Sequence, residues 1–340
     1  MSIPPPLIGP LKLTVTQEIW PLVALFRISG RTSEATRTVT VALEGAGQIG
    51  RGEASGVFYK DDTIEKMLQQ LESARPIIES GLSRENVQQL FPATGARNAL
   101  DCALWDLEAK LTGNAAWQIA GLAPPRALLT TFTCGADTPD AMARAALGFH
   151  EARAIKLKLI GEPLDAERVR AVRDACPNVW LGVDANQGFS IEMLEAMLPV
   201  LIEARVELIE QPLAIGQEAQ LDEFSSPIPI AADESLQSIA DLPSLMGRFE
   251  VVNIKLDKCG GLTEGLAIAR EAKKRKFKVM VGNMAGTSLA MAPSYLVGQL
   301  CDLVDLDGPA LLKFDRETPV TYSDGMISCP ETLWGGRPST

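Results

Sequence analysis

The sequence predicts an α/β protein in which a parallel β/α barrel follows a smaller mixed α and β segment, and three observations carry that prediction. From Leu128 onward, short apolar segments recur at 128–133, 154–158, 179–184, 206–210, 228–233, 251–255, 277–281 and 303–307. Amphipathic or alanine-rich stretches at 164–175, 191–204 and 262–274 lie between them. Strands alternating with helices at intervals of roughly 20 to 30 residues form the pattern of parallel βα units. The third observation is chemical: the ends of the other six segments, beyond 128–133 and 277–281, read Lys158, Asp184, Glu210, Asp233, Lys255 and Asp307, all ionisable, at the place where barrels carry their working groups. A doubly wound open sheet shares the alternation, but no glycine-rich phosphate fingerprint follows any of these strands.

Ahead of the barrel, β-branched or alternating runs at 11–15, 38–44 and 48–54 predict a small antiparallel meander, with a polar loop at 27–36 that carries Arg31. Helices are expected over 62–80 and 96–112, the second with Ala99, Cys102, Leu104, Trp105, Leu107 and Ala109 as its apolar positions. Pro124 and Pro125 mark the break before the barrel.

Composition narrows the function classes. With 340 residues, 46% of them hydrophobic, the chain can bury one large barrel or two domains. A net charge of -11 argues against nucleic acid or an anionic membrane as partner. No eighteen-residue apolar window occurs, and the start of the chain lacks a basic region followed by an apolar run, so a soluble, cytoplasmic protein is expected. The six cysteines are scattered, without a C-x-x-C pair, and read as reduced thiols. A single histidine, His150, expected in a helix before the lysine-bearing strand, leaves little material for imidazole metal sites or for His-dependent nucleophiles.

Lys156 and Lys158 alternate with Ile155, Leu157 and Leu159, so both ammonium groups share one face of a strand. In an antiparallel sheet that face would be wet; in a parallel strand it is buried and the charges need partners. Asp184, Glu210 and Asp233 are 26 and 23 residues apart, one βα unit each, and would converge near the barrel axis. An all-oxygen cluster of this kind suits Mg²⁺, and calcium and manganese fit by ligand type as well. Lys158 and Lys255, from the second and sixth strands, would flank the cluster on opposite sides. Lys156, about 6.6 Å along the strand from Lys158, is expected to lower the pKa of Lys158 and make it a base near neutrality.

The motifs Lys156-Leu157-Lys158, Asp184-Ala185-Asn186-Gln187, Glu210-Gln211-Pro212-Leu213, Ala232-Asp233-Glu234-Ser235 and Asn253-Ile254-Lys255-Leu256-Asp257-Lys258-Cys259-Gly260-Gly261 resemble the enolase superfamily, muconate-lactonizing-enzyme subgroup. Gly50-Arg51-Gly52-Glu53 and the stretch from Ala99 to Asp106 resemble the capping-domain motifs of that subgroup. The resemblance implies a modified (β/α)7β TIM-type barrel over 125–315, with an α+β capping domain formed by 1–124 and the returning segment 316–340.

The resemblance also implies a reaction. Asp305-Leu306-Asp307 looks like the Asp-x-Asp signature of dipeptide epimerases, where the carboxylates hold the α-ammonium of the substrate. By that pattern Asp184, Glu210 and Asp233 bind magnesium, Lys158 and Lys255 exchange the α-proton on opposite faces, and a small dipeptide is the partner molecule; a homo-oligomer is compatible with it. The segment around Lys255 resembles bacterial L-Ala-D/L-Glu epimerases, which act in murein peptide metabolism. Arg31 and, after Tyr59, Lys60 are the cations placed to meet a glutamyl carboxylate. The loop 282–288 departs from the Glu- or Arg-bearing forms of relatives and leaves room for another dipeptide. A cycloisomerase or o-succinylbenzoate synthase would share the metal and lysine residues without a use for Asp305 and Asp307. A lysine Schiff-base aldolase and a catalytically inactive ligand-binding barrel are the readings from other classes.

Overall fold

The computed structural model describes residues 9–337. The N-terminal meander is an antiparallel sheet of β1 (Lys12–Ile28), β2 (Arg31–Gly45) and β3 (Gln48–Ala54), in that order. The first two strands outrun the apolar segments that announce them, because 27–36 is not a polar loop. Ile28 pairs with Arg31 across a two-residue turn, and Gly30 there takes φ +70°, the left-handed conformation a tight hairpin needs. The outer half of this hairpin is largely solvated on both faces, so no alternation marks it.

The expected helix over 62–80 is two helices, α1 (Ile64–Ser73) and α2 (Arg75–Glu79). Pro76 breaks it, lacking an N–H and crowding the carbonyl four residues earlier. The unforeseen α3 (Arg84–Leu90) starts at a capping box of Ser83 and Asn86. Next, α4 (Gly95–Thr112) is buried on all sides over most of its length. Its Ala99, Leu100, Ala103, Leu104 and Leu107 belong to the core under the meander, while Cys102, Trp105 and Ala109 belong to the core of the barrel. A helix apolar around its circumference is one with two neighbours. On one side the contact is backbone-close: a Cβ on Gly50 or Gly52 would stand 2.1 Å from the carbonyl oxygens of Ala103 or Ala99.

After α5 (Ala116–Ile119), the apolar run at 128–133 divides into β4 (Leu128–Leu129), which lies outside the barrel, and β5 (Phe132–Cys134), its first strand. Then come α6 (Pro139–Gly148), β6 (Ala154–Lys158), α7 (Asp165–Ala175), β7 (Trp180–Asp184), α8 (Ile191–Glu203), β8 (Leu208–Glu210) and β9 (Ile230–Ala232). The chain continues through α9 (Leu242–Leu245), β10 (Val251–Ile254), α10 (Leu256–Cys259), α11 (Leu262–Lys274), β11 (Lys278–Val281), α12 (Ser288–Gly298) and β12 (Leu303–Val304). The connection from β8 to β9 carries a 3₁₀ turn, Glu218–Glu223, in place of a full helix. β5 to β12 form one parallel sheet in sequential order, and Thr131 N donates to Val304 O (3.1 Å) across the seam between its two edges. This is the expected (β/α)7β arrangement. Leu208, Ala231, Val251 and Met280 pack together inside the sheet as its floor, which leaves the other ends of the strands for polar groups.

The C-terminal hairpin of β13 (Thr321–Ser323) and β14 (Met326–Ser328) adds to β4. The chain then returns to the meander and α4: Trp334 Nε1 donates to Arg51 O (2.8 Å) on β3 and Gly335 N to Asp106 Oδ1 (2.8 Å) on α4. Among the described residues no helix is long and apolar enough to cross a membrane.

Candidate active site

Strand register assembles the site. Lys158 on β6 is the direct cross-strand partner of Asp184 on β7, and Asp184 that of Glu210 on β8. Parallel neighbours in register project to the same face, so one level of the barrel presents an ammonium and two carboxylates side by side. Asp233 and Lys255 follow directly on the ends of β9 and β10. Lys158 and Lys255 therefore stand on the second and sixth of eight strands, across the barrel from each other.

Asp184, Glu210 and Asp233 are buried, and one carboxylate oxygen from each lies within 4.8 Å of the others. Lys158 Nζ donates to Asp184 Oδ2 at 2.5 Å and Lys255 Nζ to Asp233 Oδ2 at 2.6 Å. Burial, then the Asp184 charge, push the Glu210 carboxyl up to about 7. Burial also opposes ionisation of Asp233, but Lys255 and Lys258 outweigh it and hold Asp233 well below the usual carboxylate range. Three converging buried carboxylates, with no nitrogen or sulfur among them, fit a hard divalent cation such as magnesium.

Lys156 does not face Lys158 as a bare charge; its Nζ bonds Asp305 Oδ2, lies 3.2 Å from Glu210 Oε2 and 3.9 Å from Asp184 Oδ2. Burial disfavours this ammonium, yet Asp305, Glu210 and Asp184 raise its pKa well above the ordinary lysine value. Lys255 behaves alike, with Asp233 and Glu210 overcoming burial. For Lys255 the attraction of the carboxylates outweighs both burial and the repulsion from Lys156.

Beyond the last strand, Asp305 also accepts from Thr131 Oγ1, and Asp307 Oδ2 accepts from Thr133 N at 2.6 Å. Burial and the neighbouring Asp305 push Asp307 up to about 6. Above these groups lies a cavity of about 400 Å³, within the range of roughly 300–1,000 Å³ usual for small-molecule sites. Lys156, Lys158, Lys255, Asp305 and Asp307 line its barrel side. Arg31, Phe58 and Tyr59 line its other side, from the meander and the turn after it. The Arg31 guanidinium sits 4.6 Å from the centre of the Phe58 ring. Lys60, by contrast, is exposed and does not line the cavity: the short turn Phe58–Lys60 gives it Phe58 and Tyr59 instead. His150 is exposed in the turn after α6, past the helix expected to hold it.

Four further side chains at the site stand in the sequence as members of the same motifs. Lys258 Nζ grips Asp233 Oδ1 at 2.5 Å and Asn253 O at 3.0 Å, and Asn253 Nδ2 donates to Glu210 Oε1 at 2.7 Å. Asn186 and Glu234 line the cavity. The available signal was the density of polar groups just past successive strands; which of them point inward depends on the turns that follow, and periodicity does not encode those.

A parallel barrel with this set of carboxylates and opposed lysines, covered by an antiparallel meander, is the architecture of a proton-transferring, cation-assisted enzyme. The chain belongs to the enolase superfamily: residues 140–333 match the model described as enolase C-terminal domain-like, and residues 11–121 that of the mandelate racemase / muconate lactonizing enzyme N-terminal domain. It is 39% identical over 314 residues to the L-Ala-D/L-Glu epimerase of Escherichia coli (strain K12), covering 92% of this chain and 98% of that one. A crystal structure of an enolase family member from Agrobacterium tumefaciens with homology to dipeptide epimerases, holding sodium and L-Ala-L-Glu, superposes with a TM-score of 0.93 at 39% identity, over 96% of this chain and 100% of the other. The dipeptide epimerase of Methylococcus capsulatus, crystallised with Mg and L-Arg-D-Lys, is 30% identical with a TM-score of 0.87, over 95% and 98% of the two chains.

Proposed function

We propose that the protein is a magnesium-dependent dipeptide epimerase that inverts the α-carbon of the C-terminal residue, with L-Ala-D/L-Glu as its substrate pair. The observation that carries this reading is the placement of Lys158 and Lys255 across one carboxylate triad, with Asp305 and Asp307 beside them. Asp184, Glu210 and Asp233 would hold the metal. Bound there, magnesium supplies Lewis-acid stabilisation, worth several kcal/mol, of the negative charge that develops on the substrate carboxylate as the α-proton leaves.

The chain's own groups do the rest. One lysine, released from its carboxylate partner and deprotonated, takes the α-proton on its Nζ; the other, as the ammonium, returns a proton to the opposite face, and the two exchange roles for the reverse reaction. Asp307 offers its carboxylate to the dipeptide's α-ammonium, with Thr133 N fixing one oxygen. Lys156, paired with Asp305 and Glu210, holds the floor between them. Arg31 meets the glutamyl carboxylate from the cap side, and the exposed position of Lys60 leaves it no such part. In this reading residues 1–124 are the cap and 125–315 the barrel; of the returning segment, Arg316 and Trp334 bond the cap, whereas the hairpin at 321–328 pairs with β4 and Ile327 packs in the barrel core.

A mass-spectrometric screen of L,L-dipeptides in deuterated water with Mg²⁺ tests the reading. One deuterium should enter the C-terminal residue's α-position, with L-Ala-L-Glu the best substrate. No uptake in any dipeptide, together with turnover of a cycloisomerase substrate, would favour the other subgroup activities.

A further inference from the structure

Among the described residues, five buried side-chain oxygens have no hydrogen-bond partner, and three of them crowd the carboxylate triad: Asn186 Oδ1, Glu234 Oε2 and Asn253 Oδ1. Two of these belong to one bonded pair that faces the cavity. Asn186 Nδ2 donates to Glu234 Oε1 at 3.3 Å, which leaves Asn186 Oδ1 and Glu234 Oε2 as bare acceptors. Glu234 is only 3% exposed and directly follows Asp233. Asn186 is tied to Asp184 through its backbone N–H, 2.8 Å from Asp184 Oδ1, and is held at φ +42°, a conformation asparagine tolerates better than most residues. An unsatisfied buried acceptor costs about 1–3 kcal/mol, and two adjacent ones point to a donor that belongs there.

The chemistry of that donor follows from what the pair lacks. With Glu234 ionised, as a cation held beside it would favour, both free atoms accept, so a carboxylate of the substrate is repelled, and a peptide N–H has one proton for two acceptors. A water molecule polarised by a cation has two. Magnesium characteristically keeps water among its ligands, and three carboxylates leave positions for it. We propose that Glu234 and Asn186 form an outer ring of the metal site, accepting hydrogen bonds from a metal-held water and thereby setting the metal's affinity. The proposal rests on the reading of Asp184, Glu210 and Asp233 as metal ligands. Glu234 and Asn186 are positioning residues here, acting through water rather than on the substrate.

Manganese, visible by electron paramagnetic resonance, is the probe, titrated into the wild-type protein, Glu234→Gln, Asn186→Gly and Asp184→Asn. Glutamine keeps the shape of Glu234, and glycine accepts the positive φ of Asn186, so both variants should fold, as circular dichroism will report. The expected result is a ten- to hundredfold loss of manganese affinity in each, with altered water-proton relaxation of the bound ion, while Asp184→Asn binds none. Affinities within twofold of wild type in both variants overturn the proposal. So does a loss confined to Glu234→Gln, which would mean that only its charge matters. Wild-type affinity in Asp184→Asn would overturn the metal reading itself and this proposal with it.

Discussion

At the scale of single residues, Asp305 and Asp307 look equivalent in the sequence and are not so in space. Asp305 is consumed by Lys156 and Thr131, whereas Asp307 is held through one oxygen by a backbone N–H. Asp305→Asn should therefore cost stability, about 3 kcal/mol by the measure of broken buried ion pairs, seen in urea unfolding. Asp307→Asn should leave unfolding nearly unchanged and raise KM for dipeptides. Asp257 offers a pH prediction. It accepts from Ser55 N and Gly56 N at 2.8 and 2.9 Å, yet burial pushes its carboxyl up to about 7. A folded pKa above the unfolded value of 3.8 means that the native state binds the proton more tightly, so this contribution is full below about pH 4 and is lost as pH rises through 7. Wild-type protein should lose on the order of a few kcal/mol of unfolding free energy between pH 5 and 8 that Asp257→Asn does not lose.

At the scale of elements, β3 and α4 show why glycine alternates in Gly50-Arg51-Gly52-Glu53: the strand lies directly on the helix backbone. Gly52→Ala should destabilise by about 3 kcal/mol or prevent folding, whereas a substitution at Gly47, which has nothing within 4 Å of its Cβ position, meets only the strain of its positive φ. Denaturant unfolding of the pair separates contact from conformation. The elements most legible in the sequence were those buried in one regular environment. The predicted 154–158 strand is β6 to the residue, and the other barrel strands begin or end within a few positions of their apolar runs. The hairpin tip of β1 and β2 has the sequence of a polar loop because solvated strands show no alternation. Pro76 divides the helix expected over 62–80, although the apolar periodicity runs on across it.

At the scale of the molecule, cap and barrel are joined by buried polar contacts. Half-buried Arg316 bonds Glu18 and Glu53 of the meander, and from this cluster Glu53 takes Thr287 N at 2.8 Å and Arg316 Nε donates to Thr287 Oγ1 at 3.0 Å at the start of α12 of the barrel. Asp101 on α4 accepts from Thr263 N at 2.9 Å near the start of α11. The candidate ligands and lysines could be read from strand spacing because each sits one βα unit from the next. Arg316, Glu53 and Asp101 could not, since the pairs Arg316–Glu18, Glu53–Thr287 and Asp101–Thr263 each span more than a hundred residues and no period links them. Arg316→Ala should raise KM severalfold with a smaller effect on kcat, because the cap carries Arg31 and Tyr59 over the cavity. Magnesium at a hundred times its dissociation constant should add about 2.7 kcal/mol to the unfolding free energy, and Asp184→Asn should abolish that gain.

The most direct measurement follows the α-hydrogen of L-Ala-L-Glu and L-Ala-D-Glu in deuterated water with the single variants Lys158→Ala and Lys255→Ala. Two opposed lysines predict that each variant loses epimerisation by at least ~10²-fold yet still exchanges the α-hydrogen of one epimer, and that the two variants retain opposite epimers. Exchange of both epimers by either variant, or the same epimer retained by both, would contradict the assignment of one lysine to each face.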